Sequence, residues 1–149
     1  MIERILIVGC GNMGGAMLAG WLRGGINPAR FTVVDPVLTA APAGVTLLRA
    51  VPADTVCDVV VLGVKPQLFA DVAPSIAPAV GTGTVVCSML AGTELASLAA
   101  ALPGAAGYVR IMPNLAAALG KSPVALAQAG LDAVRQLSLI HISEPTRPY

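Results

Sequence analysis

The apolar positions of this chain come in two rhythms. Short runs rich in Val, Ile and Leu stand at 4–8, 31–35, 45–48, 59–64, 84–88 and 108–112, and such runs predict strands, most of them covered on both faces. Between them, 12–23, 68–76 and 94–102 repeat apolar residues every three or four positions, which predicts helices. A further strand is expected at 124–127, and the first turns of another helix at 131–136. In the first helix Met13, Ala16, Met17, Gly20 and Trp21 share one face, so Met13, Met17 and Trp21 read as core. Asn12 is the expected N-cap and Gly24-Gly25 the stop. The connection after the second strand is short and holds Pro36 and Pro42, so its helix is expected to be abbreviated. Strands alternating with helices predict an α/β, Rossmann-type fold: a mostly parallel sheet with helices on both faces and right-handed crossovers.

Composition sharpens this reading. At 149 residues the chain is about one domain long. Hydrophobic residues make up 56% and aromatic residues 3%, so the core must be built from Ala, Val, Leu and Ile. The net charge is +1 with no basic cluster, which gives nucleic-acid binding no electrostatic support. A mean hydropathy of +0.79 raises the question of a membrane span. The uncharged stretch 72–93 contains Pro74, Pro78, Gly81 and Gly83, and 5–22 holds five glycines; neither suits a spanning helix. Glu3-Arg4 lacks the net positive charge of a signal peptide. Cys10, Cys57 and Cys87 have no metal-like or Cys-x-x-Cys spacing, so they read as reduced core residues. The expectation is a cytoplasmic protein with no membrane, nucleic-acid or metal partner.

Residues 137–147, Leu-Ser-Leu-Ile-His-Ile-Ser-Glu-Pro-Thr-Arg, resemble the translation of a transposon adapter used in some DNA-sequencing libraries. The alternative is a genuine strand with a Pro-rich terminus. On the first reading 137–149 is not native, 1–136 is the functional unit, and His141, the sole histidine, has no catalytic role.

The chemistry concentrates at the first strand–helix junction. Gly9, Gly11 and Gly14 form Gly-x-Gly-x-x-Gly between the strand and its helix. Gly9 allows the tight turn, Gly11 lets backbone approach a pyrophosphate, and Gly14 lets helix and strand pack closely. The helix N-terminus then offers N–H groups and a positive dipole end to the anion. Asp35 lies 21 residues beyond Gly14 at the end of the second strand. It is placed either to bond the adenine-ribose hydroxyls or to form the turn before Pro36. No Arg lies in the turn just after it, and Arg49 reads as too distant to receive a 2′-phosphate, so this turn leans toward NAD(H). Val64-Lys65-Pro66-Gln67 leaves the fourth strand over the crevice where such sheets bind ligands; Lys65 is either a ligand contact or a solvated surface group. Asn114, in Met112-Pro113-Asn114, is either a hydrogen-bonding group for a ligand or a turn residue. No pair of carboxylates at catalytic spacing and no usable His remains, so hydrolytic triads and metal hydrolysis lack support. No catalytic side chain is assigned.

Four segments in order, Gly9 to Met17, Val60 to Gln67, Ser88 to Thr93 and Val109 to Asn114, resemble pyrroline-5-carboxylate reductase. The resemblance implies hydride transfer from NADPH or NADH to the C=N bond of 1-pyrroline-5-carboxylate, giving L-proline. By the same resemblance Gly9, Cys10, Gly11, Asn12, Met13 and Gly14 hold the pyrophosphate. Val64, Lys65 and Pro66 line the nicotinamide side, Ala91 is nearby, and Asn114 stands at the reaction end. Ala50 departs from an Asn common in the family, and Leu115-Ala116 from its Thr-Pro. The family favours NADPH more than Asp35 suggests, which leaves the cofactor open. It also carries a C-terminal helical domain that forms the dimer and completes the substrate pocket. That domain is expected to be missing here, so the parent protein is expected to be a homo-oligomer and this piece weakly binding and inactive. Two other readings stay open: a β-hydroxyacid dehydrogenase, which shares a Gly-x-Gly-x-Met-Gly loop, and a non-catalytic dinucleotide-binding module.

Overall fold

The computed structural model describes residues 2–90, 92–111 and 124–129. Among these residues seven strands form one sheet: β1 (Ile5–Val8), β2 (Phe31–Val34), β3 (Thr46–Leu48), β4 (Val59–Leu62), β5 (Val85–Ser88), β6 (Gly107–Ile111) and β7 (Val124–Ala129). Their spatial order is β3-β2-β1-β4-β5-β6-β7, parallel through β6, with β7 antiparallel to β6. This is the expected doubly wound arrangement, and the strand order reverses between β1 and β4.

Alternation along each strand divides the core in two. Ile5, Ile7, Phe31, Val33, Val59, Val61, Val85, Cys87 and Val109 face α1 (Asn12–Arg23), from which Met17, Leu18 and Trp21 enter the same cluster. Leu6, Val8, Val60, Leu62 and Val86 face the other way. They meet Phe69, Ala73 and Ile76 of α2 (Phe69–Ile76) and Leu98 of α3 (Leu95–Ala101). Both faces are therefore covered, which is why the strands lack an alternating polar face. On the α1 side Trp21 stacks on Phe31 with ring centroids 5.7 Å apart. Met17 and Trp21 are core as expected; the side chain of Met13 lies outside the described part.

The element boundaries differ from expectation where caps and prolines intervene. Gly11, not Asn12, is the N-cap of α1, and its carbonyl accepts the Gly15 N–H at 2.8 Å. Pro66 opens a 3-10 turn (Pro66–Leu68), so α2 starts one residue later than periodicity suggests. No helix stands between β2 and β3; the chain crosses through turns around Pro36 and Gly44 instead. The helix expected at 131–136 and the tail 137–149 lie outside the described residues.

Cys10, Cys57 and Cys87 are buried, free thiols. Burial pushes the Cys87 thiol up to about 12. Among the described residues no helix is long and apolar enough to cross a membrane, and no cluster of three metal-ligating side chains occurs.

Candidate functional site

At the carboxyl ends of β1 and β4 two glycines close the turn from opposite sides. Gly9 follows β1 with φ +82°, the left-handed region, and its N–H donates to the Val34 carbonyl at 2.8 Å. Gly63 follows β4 and donates to the Val8 carbonyl at 2.8 Å. A Cβ on Gly9 would lie 2.8 Å from the Val64 nitrogen, and one on Gly63 would be driven into the Gly9 carbonyl oxygen. Gly14, in the first turn of α1, brings its Cα face against the same oxygen, where a Cβ would stand at 3.1 Å. The Met89 side chain, just past β5, fills the space beside both Gly14 and Gly63.

Gly11 is different. A Cβ there would meet nothing within 4 Å, and the residue is exposed. Three glycines are thus demanded by packing within the chain, while Gly11 faces open space above the helix N-terminus. No side chain caps α1, and its first turn carries no acidic residue. Among the described residues no side chain accepts a capping bond from its leading N–H groups. A pyrophosphate fits this cradle: bare backbone in front, a dipole end behind, and no Cβ in the way. Asn12 and Met13 contribute their backbone to this first turn.

Asp35 sits half-buried just beyond β2. Its Oδ2 accepts the Cys10 N–H at 2.9 Å, tying the glycine loop to the β2 turn. Its Oδ1 accepts the N–H groups of Val37 at 2.8 Å and Leu38 at 2.9 Å. Partial burial works against the charge. The three N–H donors and the Arg49 guanidinium outweigh it and hold the carboxyl below its ordinary range. The turn-forming role left open by the sequence is therefore seen, and it occupies three of the carboxylate's roughly four acceptor positions. The adjacent Cys10 thiol is raised by burial and by the Asp35 charge.

Arg49 corrects the sequence reading. Parallel pairing sets Leu48 beside Val34, so the next residues, Arg49 and Asp35, end their strands together. The Arg49 Nη1 donates to the Asp35 carbonyl at 2.6 Å and to the Leu38 carbonyl at 2.5 Å. An Arg does stand in the turn after β2, delivered by β3. Linear distance hid it; the strand register was the missing signal.

Val64 packs against Gly9. Lys65 and Pro66 follow on the same edge, Lys65 exposed and capping the 3-10 turn that Pro66 begins. The structure therefore brings Gly9, Cys10, Gly11, Gly14, Asp35 and Val64 to one crevice, with Lys65 and Pro66 on its β4 side. Ala91 and Asn114 lie outside the described residues. Gly63 and Met89, which hold the loop from beneath, were not singled out by sequence reasoning. A separate cleft of about 260 Å³, lined by Arg4, Arg30, Thr32 and Cys57 among others, opens at the opposite, amino-terminal ends of β1 and β2.

The sequence profile described as NADP oxidoreductase coenzyme F420-dependent matches residues 4–92, most of the chain and all of the glycine crevice. The chain belongs to this family. Among curated proteins it is 35% identical to a pyrroline-5-carboxylate reductase of Pseudomonas aeruginosa, over 78% of this chain and 45% of that protein. It is 33% identical to the pyrroline-5-carboxylate reductase of Pasteurella multocida, over 75% of this chain and 44% of that protein. The chain thus spans less than half the length of these two relatives. The fold is similar to that of the Plasmodium falciparum pyrroline carboxylate reductase solved with NADP bound: TM-score 0.79 at 18% identity, covering 95% of this chain and 55% of that one. The family's cofactor and the empty-faced cradle at Gly11 agree in chemistry.

Proposed function

We propose that this chain supplies the dinucleotide-binding part of a pyrroline-5-carboxylate reductase, which reduces 1-pyrroline-5-carboxylate to L-proline with NADPH or NADH. The observation that carries the reading is the Gly11 cradle at the β1–β4 switch point, in a chain whose curated relatives are pyrroline-5-carboxylate reductases. The bound nicotinamide supplies the hydride. The chain's own residues bind and orient: Gly9 to Gly14 take the pyrophosphate, and Val64, Lys65 and Pro66 border the nicotinamide side, with Ala91 and Asn114 completing it. Lys65, exposed and bonded through its side chain to no described residue, is suited to a substrate carboxylate or a cofactor phosphate. Buried free thiols at Cys10, Cys57 and Cys87 favour a reducing, cytoplasmic setting. Assembly into a homo-oligomer, with the substrate pocket completed by a C-terminal helical domain, belongs to the same proposal.

The test follows NADPH absorbance with 1-pyrroline-5-carboxylate, for this chain alone and joined to the C-terminal half of the Pseudomonas aeruginosa relative. Turnover in the joined protein and little in the chain alone is expected. A joined protein that folds and binds NADPH but leaves the imine unreduced contradicts the assignment.

A further inference from the structure

We propose that Arg49 reads the 2′-phosphate of the dinucleotide and makes this site selective for NADP(H) over NAD(H). The inference rests on the dinucleotide-binding reading above and assigns a specificity-determining residue within it. Three observations converge on Arg49.

First, the residue that ordinarily accepts ribose hydroxyls is occupied elsewhere. The Asp35 carboxylate is spent on the N–H groups of Cys10, Val37 and Leu38, so it has little capacity left to select a free 2′-hydroxyl. Second, β3 delivers a guanidinium to the place where the adenosine end of a dinucleotide lies, beyond the carboxyl end of β2. Third, that guanidinium is held but not used up. Nη1 is fixed by the carbonyls of Asp35 and Leu38, while Nε and Nη2 bond to no described residue. An arginine pre-set by two hydrogen bonds loses little freedom when its remaining fork meets a phosphate. Arg49 is exposed, and Val37 of the same turn is 81% exposed, an apolar surface beside the charge. A base edge on Val37 with a phosphate on Arg49 fits this pairing of surfaces.

The Asp35 charge opposes a 2′-phosphate, and Arg49 offsets it from the other side of the same turn. Removing Arg49 should therefore do more than delete a contact: it leaves the phosphate facing the carboxylate alone. The selectivity should reverse toward NADH rather than merely fade.

The experiment titrates NADPH, NADH, adenosine 2′,5′-bisphosphate and 5′-AMP into the chain by calorimetry, for the wild type, Arg49→Gln and Arg49→Lys, with thermal midpoints measured alongside. Wild type should prefer NADPH, and the bisphosphate over 5′-AMP, by about tenfold or more, the worth of one or two charge-assisted hydrogen bonds. Arg49→Gln should turn that preference toward NADH while keeping its NADH affinity, and Arg49→Lys should retain part of the wild-type preference. Equal weakening of NADPH and NADH in Arg49→Gln would show a turn staple with no part in recognition and would overturn the inference. So would a wild type that does not discriminate. A wild type that binds none of the four ligands refutes the dinucleotide reading and this inference together, whereas equal binding of all four refutes the inference alone.

Discussion

The carbonyl oxygen of Gly9 and the Cα of Gly63 press together at the carboxyl ends of two neighbouring strands, with no room for a methyl group between them. This contact joins the glycine turn after β1 to the loop that carries Lys65. It sets the distance between the two halves of the crevice by backbone alone.

Gly63→Ala should therefore destabilise the chain by about 2 kcal/mol or more, because overpacking against backbone has no flexible side chain to yield. Gly9→Ala adds a positive φ to a similar clash and should be at least as damaging. Urea unfolding measures both. Gly11→Ala, with open space around it, should lower the unfolding free energy by no more than about 1 kcal/mol, the usual cost of Ala at an N-cap. A Gly63→Ala protein as stable as wild type would mean that the two loops are not in contact.

Asp35 makes stability depend on acid in a defined direction. Its folded carboxyl is held below the ordinary 3.8. The stabilisation it contributes is thus fully present above that value and is lost as pH falls through the lower, folded value. Asp35→Asn should lower the thermal midpoint at pH 7, with the gap to wild type narrowing below about pH 4. A gap that stays constant from pH 7 to pH 3 would show that the carboxylate charge plays no part in bonding Cys10, Val37 and Leu38.

Cys87, fully buried with its thiol pushed up to about 12, should resist iodoacetamide in the native chain at pH 8 and react once the chain is unfolded in urea. Mass spectrometry of the labelled peptides distinguishes the two. Native labelling of Cys87 at the rate of an exposed thiol would place it outside the core.

The parts of this fold that could be read in advance are those written locally. The run before Gly9 and the periodicity after it mark β1 and α1 within one residue, because doubly covered strands and amphipathic helices carry their burial in their own spacing. The cap was misread because Gly11 takes the position that Asn12's chemistry suggests. The larger misses are all long-range. Arg49 and Asp35 are 14 residues apart in the chain and adjacent at the sheet edge, a consequence of the β2–β3 register alone. Gly9 and Gly63 meet only because β4 lies beside β1, and no local pattern shows which strand follows which in space. The antiparallel direction of β7 was unreadable for the same reason. The glycine loop was legible as a motif, yet only the structure separates the glycines that packing demands from the one that faces open space.

That separation gives the most direct test. Titrate NADPH into the wild-type chain and into Gly11→Glu, reading nicotinamide fluorescence, with the unfolding midpoint of each protein measured in parallel. The open space at Gly11 predicts saturable binding by wild type, and loss of about tenfold or more in the variant, whose carboxylate faces the pyrophosphate, at nearly unchanged stability. Equal NADPH affinity in the two proteins would mean that the pyrophosphate does not sit on this turn, and the account of the site would fail.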